Sequence, residues 1–378
     1  MYTSRLIYID NLRLLMIIFV VLQHIAVTYS GFGDWYYIEP GQIGIIQTVL
    51  FGFYQAFTQG YFMGFLFLIS GYFIPASYDK KGCGKFIKDR LFRLGIPSLI
   101  YMLIINPFIV FCLMGYRIDD NGLLASYKEY IIRLHFIEGS GPLWFALVLL
   151  IFTVIYALFR KFTTQKVQAS HKGFPEFSKL FALILLISIC AFLIRIIQPI
   201  GTSIMNMQLC YFSQYVILFI AGIKCKRNNW FEKLNYVTGK TWLILSLSLG
   251  FVLFAIIMIS GGALNDNLDV FNGGLNWQSA AYALWESFVS VSMSIGLIAL
   301  FKDKYNKQNT IIKIMSDNAF SVYVFHAPII VALSLLFAPV SLIPIVKFVI
   351  LASVSIPICF LSTNFTIQKI SVLRKLFV

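Results

Sequence analysis

Runs of about 20 apolar residues, each followed by a short polar segment, recur from Leu12 almost to the end of this 378-residue chain. That length of helix rises roughly 30 Å, the thickness of a bilayer's hydrocarbon core. A backbone can cross hydrocarbon only if it satisfies its own hydrogen bonds, so repeated runs of this length restrict the chain to membrane-spanning helices. Only 12% of the residues are charged and 59% are hydrophobic, whereas a soluble domain carries roughly 25% charged residues. The expected fold is therefore all-α, a polytopic transmembrane bundle of about ten helices forming one domain over residues 1–378. The spans are placed at 12–30, 55–76, 95–116, 143–159, 179–198, 209–223, 241–260, 277–301, 317–338 and 343–363. The apolar stretch 42–54 fits either an extra half-helix or the outer part of a long second span. The first run lacks a small-residue cleavage site and is read as a span, not a signal peptide.

A net charge of +14 raises the question of nucleic acid. The basic residues, however, occupy brief inter-span segments and form no patch on a soluble domain, so no nucleic-acid partner is expected. With the N-terminus inside, 25 of the 30 basic residues fall in inner segments and three (Arg117, Lys128, Arg133) in outer ones. The positive-inside rule then places both termini in the cytoplasm, in a multi-pass protein of the cell (inner) membrane in contact with membrane lipids. Trp35, Tyr36, Tyr37, Trp144 and Trp277 fall at outer span ends and read as an aromatic belt. The six cysteines contain no C-x-x-C pair and are read as packing residues; no metal site is expected.

Ionisable groups at membrane depth are expensive and mark function by default. His24, Glu286 and His326 lie roughly 18, 14 and 14 Å into their spans, near the midplane. Arg13 and His24, eleven residues apart, share one helix face, because eleven steps of about 100° exceed three turns by only about 20°. Asp10 stands three residues before Arg13, placed to pair with it. A neutral imidazole at that depth suits a general base, although a polar residue in a membrane bundle also serves simply to hydrogen-bond a neighbouring helix. Tyr323 and His326 are one turn apart on one surface. Arg195, near an outer span end, reads as an ordinary snorkelling arginine. The segment 77–94, read as a loop, holds eight charged residues, six of them basic, and ends in Arg90-Leu-Phe-Arg93. Two arginine forks at i and i+3 suit a phosphate grip, and equally suit anchoring of topology.

Five motifs in order, Asp10-Asn-Leu-Arg13 followed by His24, Phe67-Leu-Ile-Ser70-Gly71-Tyr72, Arg90-Leu-Phe-Arg93, Gly141-Pro-Leu-Trp144-Phe145 and Ser321-Val-Tyr323-Val-Phe-His326, resemble the acyltransferase type 3 family of multi-pass membrane proteins over nearly the whole chain. The resemblance implies an enzyme that takes an acyl group, acetyl or succinyl, from acyl-CoA, with acetyl-CoA the foremost co-substrate and no bound cofactor. The group would pass to a hydroxyl of an extracytoplasmic polysaccharide, glucan or lipid-linked sugar. It further implies His24 as the catalytic histidine and Arg90 and Arg93 as donor-binding residues; Arg13, Asp10, Glu286, Tyr323 and His326 are read from their positions as the rest of the catalytic set, with Glu286 or Tyr323–His326 orienting groups or stabilising the oxyanion, and Ser70 and Trp144 as pocket residues. Asn11 stands where the family often has glycine. No hydrolase-like domain follows the bundle, so the chain is expected to complete transfer alone or with an accessory transferase. His24 as base and His24 as a transiently acylated nucleophile are both compatible with the sequence. The rival readings are a transporter or flippase using buried His and Glu as proton relays and a non-catalytic assembly subunit.

Overall fold

The computed structural model describes residues 5–41, 43–115, 122–163, 173–265 and 267–377. Arg117, Lys166 and Lys172 of the charge count lie outside them. The described elements are helical: α1 (Ile7–Ser30), α2 (Ile45–Gln59), α3 (Phe62–Arg90), α4 (Ile96–Ile100), α5 (Leu123–Ile132), α6 (Trp144–Phe162), α7 (Phe177–Ile197) and α8 (Phe212–Asn228). They continue with the short α9 (Trp230–Lys233), α10 (Tyr236–Ser260), the short α11 (Asp269–Asn272), α12 (Trp277–Lys304), α13 (Thr310–Phe337), α14 (Pro344–Thr366) and α15 (Ser371–Phe377). Nine stretches among the described residues are long and apolar enough to cross a membrane. One of them, Ile45–Leu113, has 69 residues, far too many for one crossing.

That long stretch is where the expected boundaries need correction. The span expected at 55–76 is broken at Gly60–Tyr61, so 45–59 is a separate 15-residue helix, roughly 22 Å long and short of a full crossing. The expected loop 77–94 is helical on both sides of Gly82, where the backbone leaves the helix and changes direction at a φ of +71°, open to glycine at little cost. Across that bend Lys81 pairs with Asp89 at 2.6 Å. The run then continues through π-helical turns at Leu91–Gly95, Tyr101–Ile105 and Phe108–Leu113. Pro97 and Pro107 sit within it, and each removes a backbone donor that a regular α-helix needs.

Asparagine starts three of the long helices. Asn235, Asn276 and Asn309 accept hydrogen bonds from the backbone N–H groups of Thr238, Ser279 and Ile312 at 2.7, 2.8 and 2.8 Å, filling orphan donors at the first turns of α10, α12 and α13. Packing between spans relies on small residues, because lipid offers no hydrophobic drive for helix association. A Cβ on Gly71 would lie 2.2 Å from the Phe219 carbonyl oxygen, and one on Gly222 would lie 2.1 Å from that of Leu68. The backbones of α3 and α8 therefore touch. Helix α12 is the most enclosed span and α10 the most lipid-exposed.

The bundle has two chemically distinct ends. At one, Arg5 bonds Asp10 at 2.5 Å and Asp317 at 2.8 Å, Arg227 bonds Asp79, and Lys302 donates to the carbonyls of Phe231, Glu232 and Leu234. The backbone oxygen of Phe377 accepts from Ser321 at this same end, so both described chain ends lie there. At the other end, Lys347 pairs with Glu39 at 2.7 Å and Asn206 donates to Ser140 and Gly141.

Candidate active site

A cavity of about 310 Å³ opens at the basic end. Arg13, Arg90, Arg93 and Lys375 line its mouth, while Phe145, Ser70 and Tyr323 lie further in. Among the described residues no carboxylate lies within ion-pair distance of Arg90, Arg93 or Lys375, whereas Asp10 reaches Arg13 only at 3.7 Å. The closer partner of Asp10 is Arg5, so the expected Asp10–Arg13 pairing is a loose one and the Arg13 guanidinium is left for the cavity. Arg90 also lies over the Phe86 ring at 5.0 Å, which limits where its fork can point. Three cations without a carboxylate in ion-pair distance, and a fourth held only loosely by Asp10, around one opening make an arrangement suited to an anion. Lys375 comes from α15, which is fastened by the buried Phe377 packed on Phe325.

On α1 the cavity lining ends at Ile17, and on α13 at Tyr323. His24 lies about two turns beyond Ile17 and His326 one turn beyond Tyr323. The two imidazoles meet there, with ring centroids 5.2 Å apart and planes 22° from parallel. Trp35 stacks on His24 at 3.8 Å and 16°, and lies 6.3 Å from His326. The squares of the two shorter distances add to nearly the square of the longest, so the angle at His24 is close to a right angle. Trp35 therefore covers a face of His24, and His326 stands beside its edge. This corrects the aromatic-belt reading of Trp35, which turns inward, while Trp277 stays exposed.

The segment that carries Trp35 is tied at several points. Tyr36 donates to Asn106 at 2.7 Å and its hydroxyl is 3.0 Å from that of Tyr101; Asn106 in turn donates to Tyr130 at 2.9 Å. Burial raises the Tyr36 phenol above the ordinary tyrosine range and keeps it a neutral donor. Glu39 is held by Lys347 and by its own N–H to the Thr28 carbonyl at 2.9 Å. Gly31 and Gly33, at φ +71° and +103°, let the chain turn sharply enough to lay residue 35 against α1.

Hydrogen bonding decides what each ring can contribute. His326 Nδ1 is 2.9 Å from the Tyr323 carbonyl and 3.2 Å from that of Val322. A carbonyl only accepts, so Nδ1 carries the proton in the neutral ring and Nε2 is a lone-pair acceptor. That Nε2 is buried without a partner, as is His24 Nδ1. The Tyr323 hydroxyl donates to the Pro142 carbonyl. As bonded, neither Tyr323 nor neutral His326 has a proton to offer an oxyanion.

The remaining expected residues take other places. Glu286 is paired with Arg195, at 5% and 0% side-chain exposure, and the guanidinium also lies over the rings of Tyr211 (5.3 Å) and Tyr282 (5.6 Å). Arg195 is thus no snorkelling arginine. Trp144 stacks on Tyr215 at 5.6 Å. Among the described residues neither Glu286 nor Trp144 has a hydrogen bond or ring contact with His24. Asn11 donates to the carbonyls of Tyr305 and Lys307 at 2.7 and 3.0 Å and accepts from Gln308 at 2.8 Å, pinning the α12–α13 connection in a way glycine could not. No cluster of three or more metal-ligating side chains occurs among the described residues. Sequence reasoning missed Trp35 and Lys375: a single loop tryptophan and one lysine on a terminal helix carry no spacing signal.

An all-helical bundle of membrane-length spans, with a cationic cavity at one end and a histidine pair beyond its floor, defines the class as a multi-pass membrane protein. Residues 6–364 match the acyltransferase domain family, and the chain belongs to that acyltransferase type 3 family. It is similar to glucans biosynthesis protein C of Salmonella schwarzengrund (strain CVM19633), 27% identical over 227 residues, 57% of this chain and 56% of the relative. It is also similar to the proteins of that name from Escherichia coli K12 and E. coli O6:K15:H31 (strain 536), each 25% identical over 173 residues, 45% of this chain and 43% of the relative. The chain spans about half the length of the curated relatives it matches. No solved structure matches it.

Proposed function

We propose that this acyltransferase moves an acyl group, acetyl or succinyl, from acyl-CoA at the basic end of the bundle to a hydroxyl of a sugar-containing acceptor that approaches from the opposite end. The observation that carries the reading is the cavity mouth of Arg90, Arg93 and Lys375, without carboxylate partners among the described residues, and Arg13, paired only loosely with Asp10 at 3.7 Å. The phosphates of coenzyme A are the group such a mouth suits, since arginine forks bind phosphate oxygens in pairs. From Arg13 to His24 the α1 rise is roughly 16 Å, a distance suited to an extended pantetheine arm. The basic end is cytoplasmic on this reading, as the positive-inside rule requires. His24 then acts as general base on the acceptor hydroxyl. The name of the relatives, glucans biosynthesis protein C, favours a glucan among the possible acceptors, and polysaccharides and lipid-linked sugars share the reacting group.

Mass spectrometry of surface glycans and lipids tests this, comparing cells that lack the gene with cells complemented by wild type or by His24→Ala. Restoration of an acetyl- or succinyl-sized increment by wild type alone is expected. An unchanged acyl inventory in all three, or full restoration by His24→Ala, overturns the assignment.

A further inference from the structure

Acyl transfer between a thioester and a hydroxyl passes through a tetrahedral intermediate, and the charge that gathers on its oxygen needs a preorganised donor. Of Trp35 and His326 beside His24 and Tyr323 next to His326, two rings have spent their protons. The Tyr323 hydroxyl is given to the Pro142 carbonyl, and the His326 Nδ1–H to the Tyr323 carbonyl. The third is Trp35. Its indole nitrogen can only donate, it is buried, and it has no hydrogen-bond partner.

An unpaired buried N–H is costly, and native proteins keep few of them. This one sits in a ring stacked 3.8 Å from the imidazole proposed as base. The neighbouring structure fixes it: Tyr36 is tied to Asn106, Tyr101 stands against Tyr36, and Glu39 is held by Lys347. Residue 35 is therefore held by ties that begin at the very next residue.

We propose that Trp35 is a further catalytic residue, its Nε1–H donating to the oxyanion of the tetrahedral intermediate. The inference rests on the reading of His24 given above. The acceptor oxygen attacks the thioester carbonyl carbon while His24 takes the hydroxyl proton, and the carbonyl π pair moves onto oxygen, where the indole N–H meets it. Collapse re-forms the C=O bond, breaks the C–S bond, and returns the proton from the His24 imidazolium to the departing thiolate. The acyl ester and coenzyme A thiol are the products, with atoms and electrons balanced.

Trp35→Phe keeps an aromatic face on His24 and removes only the donor. In purified protein reconstituted in liposomes and supplied with acyl-CoA and acceptor, kcat is expected to fall about 10²-fold with both KM values within a factor of about three. Benzothienylalanine at position 35, in which sulfur replaces the N–H at nearly the same size, is expected to give the same fall and covers the case in which the phenylalanine variant repacks. Wild-type turnover in the sulfur analogue overturns the proposal. A loss confined to acceptor KM also overturns it, since that pattern belongs to a stacking platform for the acceptor. His24→Ala run alongside separates the two inferences: if it is inactive while both position-35 variants are fully active, the base assignment stands and the oxyanion donor lies elsewhere.

Discussion

Removing one partner of the Arg195–Glu286 pair leaves the other buried and uncompensated. Arg195 is at 0% and Glu286 at 5% side-chain exposure, and two tyrosine faces lie 5.3 and 5.6 Å from the guanidinium. Truncating one member of a buried ion pair costs about 3 to 5 kcal/mol, because the survivor keeps its desolvation penalty without its attraction. For Glu286→Met that penalty falls on a guanidinium that already has unpartnered Nε and Nη1 atoms. Replacing both members removes both penalties. Arg195→Met/Glu286→Met is therefore expected to be more stable than either single variant, with a coupling of about 2 to 3 kcal/mol. Thermal unfolding of the three variants in one detergent, followed by loss of the monodisperse peak on size exclusion, supplies the ordering. A double variant whose loss equals the sum of the two single losses refutes the coupling. Activity per folded molecule in the double variant separates scaffold from chemistry, and retention of at least about a tenth of wild-type kcat is expected if Glu286 holds helices and touches no substrate.

The cavity mouth gives a second expectation. Arg90→Ala, Arg93→Ala and Lys375→Ala should each raise the donor KM about tenfold, near the 1.5 to 3 kcal/mol of a hydrogen bond to a charged group, and leave the acceptor KM unchanged; equal effects on both constants would reduce them to topology anchors. Gly222→Val puts a branched side chain where even a Cβ meets the Leu68 carbonyl at 2.1 Å, so separation of α3 from α8 and loss of folded protein on size exclusion are expected, while a normal yield would show the contact to be looser. Lys347→Met strands the Glu39 carboxylate and should loosen the segment around Trp35, read as faster labelling of a cysteine placed at residue 35; unchanged labelling would show that the Tyr36 ties suffice.

The spans were legible because hydrocarbon imposes one length and one periodicity on every crossing; the long helices from α6 to α14 each overlap an expected span, with bounds shifted by up to five residues and the start of α13 seven residues earlier than expected. What the sequence hid was how segments between spans fold back. A charged stretch such as 77–94 reads as loop by polarity, yet it is helical because one glycine takes the bend and its lysines project from the ends of two helices. Arg195 and Glu286, 91 residues apart, had no spacing to announce their pairing. His24 and Arg13 were visible because both lie on α1, where helical phase relates them directly. Trp35 reaches His24, and Lys375 the cavity mouth beside Arg13, by tertiary routes, and only coordinates bring them there.

The closed segment over His24 also matters for the membrane as a barrier. On the proposed reading one substrate arrives from each side, so a passage open at both ends would short-circuit the ion gradients the membrane maintains. On that reading Trp35, stacked on the imidazole and followed directly by the fastened Tyr36 and Glu39, serves as an electrical seal between the two ends. Chemistry and insulation then fall to the same side chain.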